Sequence, residues 1–171
     1  MSIPFEAYQG KEPFIFVSYA HKDSDVVYGE IKRLHEEGYR IWYDEGISPA
    51  NEWPEEIAEA IKKCSTFLVF ISPQSVESKN VKNEINYALS KNKKFIAVHA
   101  KKTILPSGLE LQMGSIQAIM KFQMEVERYY RKLFSSIHPS IKRGDQSITK
   151  EVILKPKEVE RDNFYSNEPI P

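Results

Sequence analysis

The chain has 171 residues, 41% of them hydrophobic and 28% charged, and its 24 basic side chains balance 24 acidic ones. This composition is typical of a globular protein that is long enough to form one domain with a substantial core. The charge balance argues against a basic surface for nucleic acid or anionic lipid. The single cysteine, Cys64, excludes an internal disulfide and any cysteine-based metal cluster.

Nothing in the chain indicates a signal peptide or a membrane span. Residues 1–13 contain Glu6 and lack a basic segment followed by an apolar one, which a secretory signal requires. The longest apolar runs, such as residues 67–71, are too short to cross a bilayer. A lone cysteine also suits a reducing compartment, so we expect a cytoplasmic protein that does not bind a membrane.

Short apolar runs alternate along the chain with segments of helical periodicity. Strands are predicted at residues 14–17, 39–43, 67–71 and 95–99, with a weaker one at 115–119, and helices near 27–38, 53–64, 78–89 and 124–137. Residues 100–114 form a long connection with little regular signal. Strands of this kind predict an α/β fold with a parallel sheet covered on both faces. Right-handed crossovers then favour a doubly wound five-stranded sheet of order 2-1-3-4-5.

The alternation predicts three parts of the chain. Residues 1–12 are interpreted as a polar leader, residues 13–137 as the domain, and residues 138–171 as a C-terminal appendage. Prolines interrupt the appendage, so we expect it to be weakly structured or docked on the domain or on a neighbour. We find no internal repeat.

The predicted helix near residues 78–89 carries a carboxylate at the margin of its apolar stripe. Val81, Ile85 and Leu89 recur at helical spacing, and Glu84 lies about 40° outside the stripe on a flank shared with Asn80 and Tyr87. A lone Glu in a helix is usually a solvated surface residue. A carboxylate at a buried margin is instead partly desolvated, which raises its pKa and lets it hold a hydroxyl or a developing cation.

The predicted topology brings three loops to one crevice, beyond the carboxyl ends of the first three strands. These are residues 18–23, residues 44–53 and the segment from Ser72 to Glu84. The turn after the first strand has no glycine, which argues against a phosphate loop or a dinucleotide fingerprint. The four histidines lack metal-ligand spacing, and the serines lack a His-acid partner nearby. We therefore expect no metal and no bound cofactor.

Four stretches, taken together, resemble a Toll/interleukin-1 receptor (TIR) domain of the bacterial type. They are residues 14–19 with Asp23, residues 44–53, residues 67–72, and residues 75–84. The resemblance covers about residues 13–137, and four motifs in the right order make it specific. It implies a flavodoxin-like fold.

The resemblance also implies two kinds of function. Some TIR domains are scaffolds that associate with one another, whereas others cleave the nicotinamide–ribose bond of NAD⁺. The catalytic glutamate of the second group corresponds to Glu84. NAD⁺ is then the substrate, and the products are nicotinamide with ADP-ribose or a cyclic isomer. A fixed carboxylate stabilises the oxocarbenium-like ribose of such a reaction without a metal.

Five further residues are candidates for substrate binding, each with a plainer alternative. Ser18 and Tyr19 match the loop that lines the nucleotide crevice, or are a turn residue and a core aromatic. Asp44 closes the second strand, or caps the following turn. Trp53 matches the tryptophan that begins the family's second helix, or simply packs there. Ser78 resembles the serine of the glutamate motif, although its angular phase places it near the apolar stripe.

The chain departs from the family pattern four residues before the glutamate. Many NAD-cleaving members have tryptophan there, stacked on the nicotinamide, whereas this chain has Asn80. Loss of the stack weakens NAD⁺ binding or changes the ligand, unless Tyr87 or Trp53 substitutes. A second departure is Asn51 in place of a loop glycine, a change that the backbone tolerates well.

The preferred hypothesis is an NAD⁺ glycohydrolase or ADP-ribosyl cyclase that acts in bacterial antiphage immunity or signalling. Its expected partners are NAD⁺, other TIR domains through self-association, and a downstream effector that senses the nucleotide product. One alternative is a non-enzymatic TIR–TIR interaction module or host-signalling effector. A more distant alternative is a deoxyribosyltransferase-like enzyme of similar fold, against which the loop after the second strand argues.

Overall fold

The computed structural model describes residues 2–46 and 54–144, and residues 2–141 belong to one compact unit. Five strands alternate with five helices along the described chain. In chain order the elements are β1 Ile15–Ser18, α1 Ser24–Glu36, β2 Ile41–Tyr43, α2 Pro54–Lys63, β3 Thr66–Ile71, α3 Lys79–Ser90, β4 Lys94–His99, α4 Ser107–Met113, β5 Ala118–Ile119 and α5 Val126–Ser135.

The strands form one parallel sheet of order β2-β1-β3-β4-β5, which confirms the predicted doubly wound topology. Every residue of β1, β2 and β3 is buried, because helices cover both faces of a parallel sheet. In the register, Val17 pairs with Tyr43 on one side and with Leu68 on the other. The carboxyl ends of these three strands therefore meet at one edge.

The connection from residue 100 to residue 114 contains a helix that the periodicity did not indicate. Helix α4 has only seven residues, and Leu109 and Met113 are its buried pair. One apolar pair at i, i+4 is too short a signal to separate a helix from a loop. None of the described helices has the length and apolar character needed to span a bilayer.

The segment interpreted as a leader lies along β2. The backbone N–H of Tyr8 donates to the carbonyl of Ile41 at 2.8 Å, and the hydroxyl of Tyr43 donates to the carbonyl of Phe5. The ring of Phe5 stacks on His35 with a centroid separation of 4.0 Å. The segment thus covers the outer edge of the sheet.

A short 3-10 helix at Pro139–Ile141 packs near the start of β2, where the backbone N–H of Arg40 donates to the carbonyl of Ile141. The buried guanidinium of Arg40 donates to the carbonyl of Pro13 and to that of Ser140, each at 2.8 Å. Of the appendage beyond this turn, residues 145–171 lie outside the described residues, as does Trp53.

A buried carboxylate joins α1 to the C-terminal helix α5. Glu30 is 3% exposed and accepts hydrogen bonds from the hydroxyls of Tyr129 at 2.8 Å and Tyr130 at 3.3 Å. Its other oxygen lies 2.7 Å from the ammonium of Lys121. Such a buried charge is tolerated because it is both paired and hydrogen-bonded.

Replacement of Glu30 by alanine should destabilise the fold strongly. It leaves Lys121 and two tyrosine hydroxyls without their shared partner, and breaking a buried pair in this way costs about 3–5 kcal/mol. Urea unfolding measures the free energy. Glu36→Ala is the matched control, because its pair with Lys32 is exposed and contributes less than about 1 kcal/mol. Equal losses for the two variants would contradict this account.

Candidate active site

The loops after β1 and β2 meet the side of α3 in a cavity of about 150 Å³ at the carboxyl edge of the sheet. Most of its lining is polar, and four of the side chains are ionisable. The lining residues are Phe16, Val17, Tyr19, His21, Asp44, Ser78, Asn80 and Glu84. This is the crevice that the order of the strands predicts.

Glu84 is fixed to the carboxyl end of strand β1 by a hydrogen bond. Ser18, which is buried, donates its hydroxyl to Oε1 of Glu84 at 2.6 Å. Helix α3 is positioned for this contact by its start, where the Ser78 hydroxyl accepts the backbone N–H of Val81 and caps the helix. The partly buried Glu84 follows in the second turn, so its carboxylate reaches across to β1.

The surroundings of Glu84 make its carboxyl group a weaker acid than a glutamate in water. Burial, and to a lesser extent the negative charge of Asp44, raise the pKa of Glu84 from its ordinary 4.5 to a net value of about 7. The hydrogen bond from Ser18 and the charge of His21 oppose this rise in pKa. Desolvation is the largest of these effects, which is the pattern of a carboxyl group in a binding crevice rather than on a helix surface.

His21 and Asp44 form a pair at the mouth of the cavity. Nε2 of His21 lies 3.4 Å from Oδ2 of Asp44, and both side chains are partly exposed. The contact with Asp44 raises the pKa of His21, and the same contact lowers the pKa of Asp44. The pair therefore favours an imidazolium facing a carboxylate.

Two further contacts hold Asp44 in place. The hydroxyl of the buried Tyr19 donates to the Asp44 carbonyl at 2.6 Å, and the N–H of Gly46 donates to Oδ1 of Asp44 at 3.0 Å. Gly46 has a φ of 74°, a left-handed conformation that favours glycine. Tyr19 thus supports the loop with its hydroxyl while its ring lines the cavity.

A second cavity, of about 260 Å³, lies between α2 and α3 on the other flank of Glu84. Asn80 and Glu84 line both cavities, so the carboxylate stands where a polar space and a more apolar space meet. The ring of Tyr87 lines this second cavity, with the Lys91 ammonium 5.4 Å from its centroid. The lining residues are Pro54, Ile57, Ala58, Ile61, Asn80, Asn83, Glu84 and Tyr87.

The structure brings most of the predicted site residues together. Five of them line the polar cavity, Ser18 donates to Glu84 from the end of β1, Tyr87 lines the apolar cavity, and Trp53 lies outside the described residues. Sequence reasoning missed His21 and Asn83. His21 lies in the loop after β1, and Asp44 lies in the loop after the neighbouring β2. This placement at the carboxyl edge of the sheet could have identified His21 as a site residue. Asn83 gave no signal beyond its position beside Glu84.

Comparison with known proteins agrees with this architecture. The family described as TIR domain matches residues 15–134, most of the chain. The chain belongs to the TIR domain family. A relative from Theionarchaea archaeon named NAD(+) hydrolase TcpA is 29% identical over 94 residues, which is 54% of this chain. The match spans only 27% of that relative's length.

A solved TIR domain shares the fold. The TIR domain of the Toll-related receptor TRR-2 from Hydra magnipapillata superposes with a TM-score of 0.60 at 17% identity. The alignment covers 71% of this chain and 94% of the receptor domain. The similarity shows a common flavodoxin-like architecture, in keeping with the observed strand order.

Glu84→Gln should stabilise the protein at pH 8 and leave its stability unchanged near pH 4.5. Because the pKa of Glu84 is raised on folding, wild-type stability falls as the pH rises from 4.5 to about 7, and it stays lower above that range. Glutamine retains the acceptor for Ser18 but carries no charge. We expect a gain of up to about 3 kcal/mol at pH 8.

Chemical unfolding of both proteins across this pH range measures the difference. A constant difference between them, or destabilisation by Glu84→Gln at pH 8, would mean that the carboxyl group ionises as freely as one in water.

Proposed function

We propose that this TIR domain cleaves the nicotinamide–ribose bond of NAD⁺, with Glu84 as the catalytic residue. The observation that carries the proposal is a desolvated carboxylate, oriented by Ser18, at the junction of a polar and an apolar cavity. Family membership and the relative named as an NAD(+) hydrolase support the same chemistry.

The reaction suits a single fixed anion. As the bond between ribose C1′ and the nicotinamide nitrogen breaks, its electron pair goes to the nitrogen, and nicotinamide leaves as a neutral base. Positive charge then develops on the ribose, where the ionised Glu84 stabilises it and accepts hydrogen bonds from ribose hydroxyls. Addition of water at C1′ with loss of one proton gives ADP-ribose.

The two cavities suit different parts of the substrate. The flat, uncharged nicotinamide leaving group suits the apolar space bordered by Ile57, Ala58 and Tyr87. The ribose and the remainder of the dinucleotide suit the polar side. In this arrangement Asn80, which borders both spaces, takes the position of the family's stacking tryptophan, and Tyr87 supplies an aromatic surface.

The proposal extends to the products of the reaction and to the partners of the domain. Attack on C1′ by an adenine nitrogen or a ribose hydroxyl of the same molecule, instead of water, gives a cyclic ADP-ribose isomer. We further propose that the domain self-associates and that its product is sensed by a partner protein in bacterial antiphage defence. A non-enzymatic TIR–TIR interaction module is the second candidate, and Asn80 in place of tryptophan is the observation that favours it.

The direct test is release of nicotinamide from NAD⁺ at high protein concentration, with the products resolved by chromatography. Wild type should release nicotinamide, and Glu84→Gln should be slower by at least about a hundredfold, since it loses the anion that stabilises the ribose cation. Asn86→Asp, an exposed change on the same helix, is the matched control and should retain activity.

Full activity in Glu84→Gln would overturn the assigned catalytic residue. No release by the wild type, in dilute or crowded solution, would favour the interaction module.

The pH profile provides an independent prediction. The carboxylate must be ionised, so kcat/KM should fall about tenfold per pH unit below the Glu84 pKa of about 7. Ser18→Ala removes a hydrogen bond that lowers this pKa, so its acid limb should move to higher pH. Initial rates between pH 5 and 9 measure the acid limb of the wild type and that of Ser18→Ala. An unchanged limb in Ser18→Ala would show that Glu84 does not govern it.

A further inference from the structure

The polar cavity presents an electrostatic conflict for a dinucleotide. Two of its ionisable side chains, Asp44 and Glu84, are carboxylates, whereas the substrate of the proposed function carries a diphosphate. Like charges in a partly desolvated crevice repel one another strongly. Among the described residues that line this cavity, His21 alone is basic. Lys22 lies next to His21 and Lys79 begins α3, but both side chains are exposed and neither lines the polar cavity.

His21 keeps one ring nitrogen available for a ligand. Nε2 is engaged with Asp44, and Nδ1 makes no hydrogen bond to any of the described residues. The Nδ1 edge of the ring lies beside Gly46, where a Cβ, if present, would be 3.9 Å away. The side chain of His21 is 47% exposed among the described residues, so the ring can be reached by a ligand.

Asp44 selects the form of His21 that is able to bind an anion. A neutral imidazole that donates through Nε2 has a bare Nδ1, which accepts hydrogen bonds and repels phosphate oxygens. The charged groups that face the ring are Asp44 after β2 and Glu84 on α3, while the Tyr19 ring packs 5.2 Å from it. Both carboxylates favour the imidazolium, in which Nδ1 also carries a proton.

We propose that His21 is the substrate-binding residue for the diphosphate, to which it donates through Nδ1–H, and that Asp44 is its positioning residue. The proposal rests on the proposed function and adds to it the residue that recognises the anionic part of the substrate. The imidazolium offsets the repulsion from Asp44 and Glu84, and a charge-assisted hydrogen bond fixes the phosphate relative to the reacting ribose.

The experiment measures binding rather than turnover, so it does not depend on catalysis. The full chain and three variants, His21→Gln, His21→Lys and His138→Gln, are titrated calorimetrically with ADP-ribose and with adenosine, which lacks phosphates. His21→Gln should bind ADP-ribose about tenfold more weakly and adenosine unchanged. His21→Lys should recover most of the affinity. His138 is exposed and bonds to Ser140, so His138→Gln is the matched control and should bind normally.

Proton NMR of the histidine rings supplies a second readout that a merely structural role would not move. The His21 resonance is assigned by its loss in His21→Gln, and its pKa should rise on addition of ADP-ribose but not of adenosine. Unfolding midpoints check that the variants at the half-exposed His21 remain folded, and we expect these midpoints to be unchanged.

Three results would overturn the inference: equal ADP-ribose affinity in His21→Gln and the unaltered chain, parallel losses for ADP-ribose and adenosine, or absence of ADP-ribose binding to the unaltered chain. None of them decides the proposed function, which depends on nicotinamide release that requires Glu84. Conversely, normal diphosphate binding through His21 in a protein that releases no nicotinamide would retain this inference and reject the proposed reaction.

Discussion

The site depends on the parallel pairing of β1 with both of its neighbours. Since β2 and β3 run alongside β1 in register, the residues that follow all three strands emerge at one edge of the sheet. Ser18 then lies beneath the flank of α3, and Asp44 lies beside His21. The buried apolar strands form a rigid support, and the polar residues that follow them line the cavity.

The central carboxylate has the opposite energetic character from the buried Glu30. Glu30 is surrounded by two hydroxyls and an ammonium, so its buried charge is satisfied and holds α1 to α5. Glu84 has one hydroxyl donor and a carboxylate neighbour, and burial makes its charge costly. A cationic or hydroxyl-rich ligand would satisfy it. Incomplete satisfaction of its charge thus distinguishes Glu84 from the structural carboxylate of Glu30.

Much of this architecture could be predicted from the sequence, because continuous apolar strands and helical periodicity are local signals. They predicted the strand order and the meeting of Ser18, Asp44 and Glu84 at one edge. The short helix α4 and the network around Glu30 could not be predicted, since the first has one apolar pair and the second joins residues far apart in the chain. The degree of desolvation of Glu84 likewise depends on packing that no periodicity encodes.

The segments that flank the matched family range have a practical consequence for any shortened version of the protein. A piece cut to residues 15–134 lacks the partners of Arg40, Tyr43 and Glu45: the carbonyls of Pro13 and Ser140, the carbonyl of Phe5, and the N–H of Ala7, which donates to Glu45 at 2.7 Å. It also uncovers the backbone of β2, and a bare strand edge is a template for pairing between chains. Aggregation of such a fragment would then reflect the cut rather than the natural association of the domain.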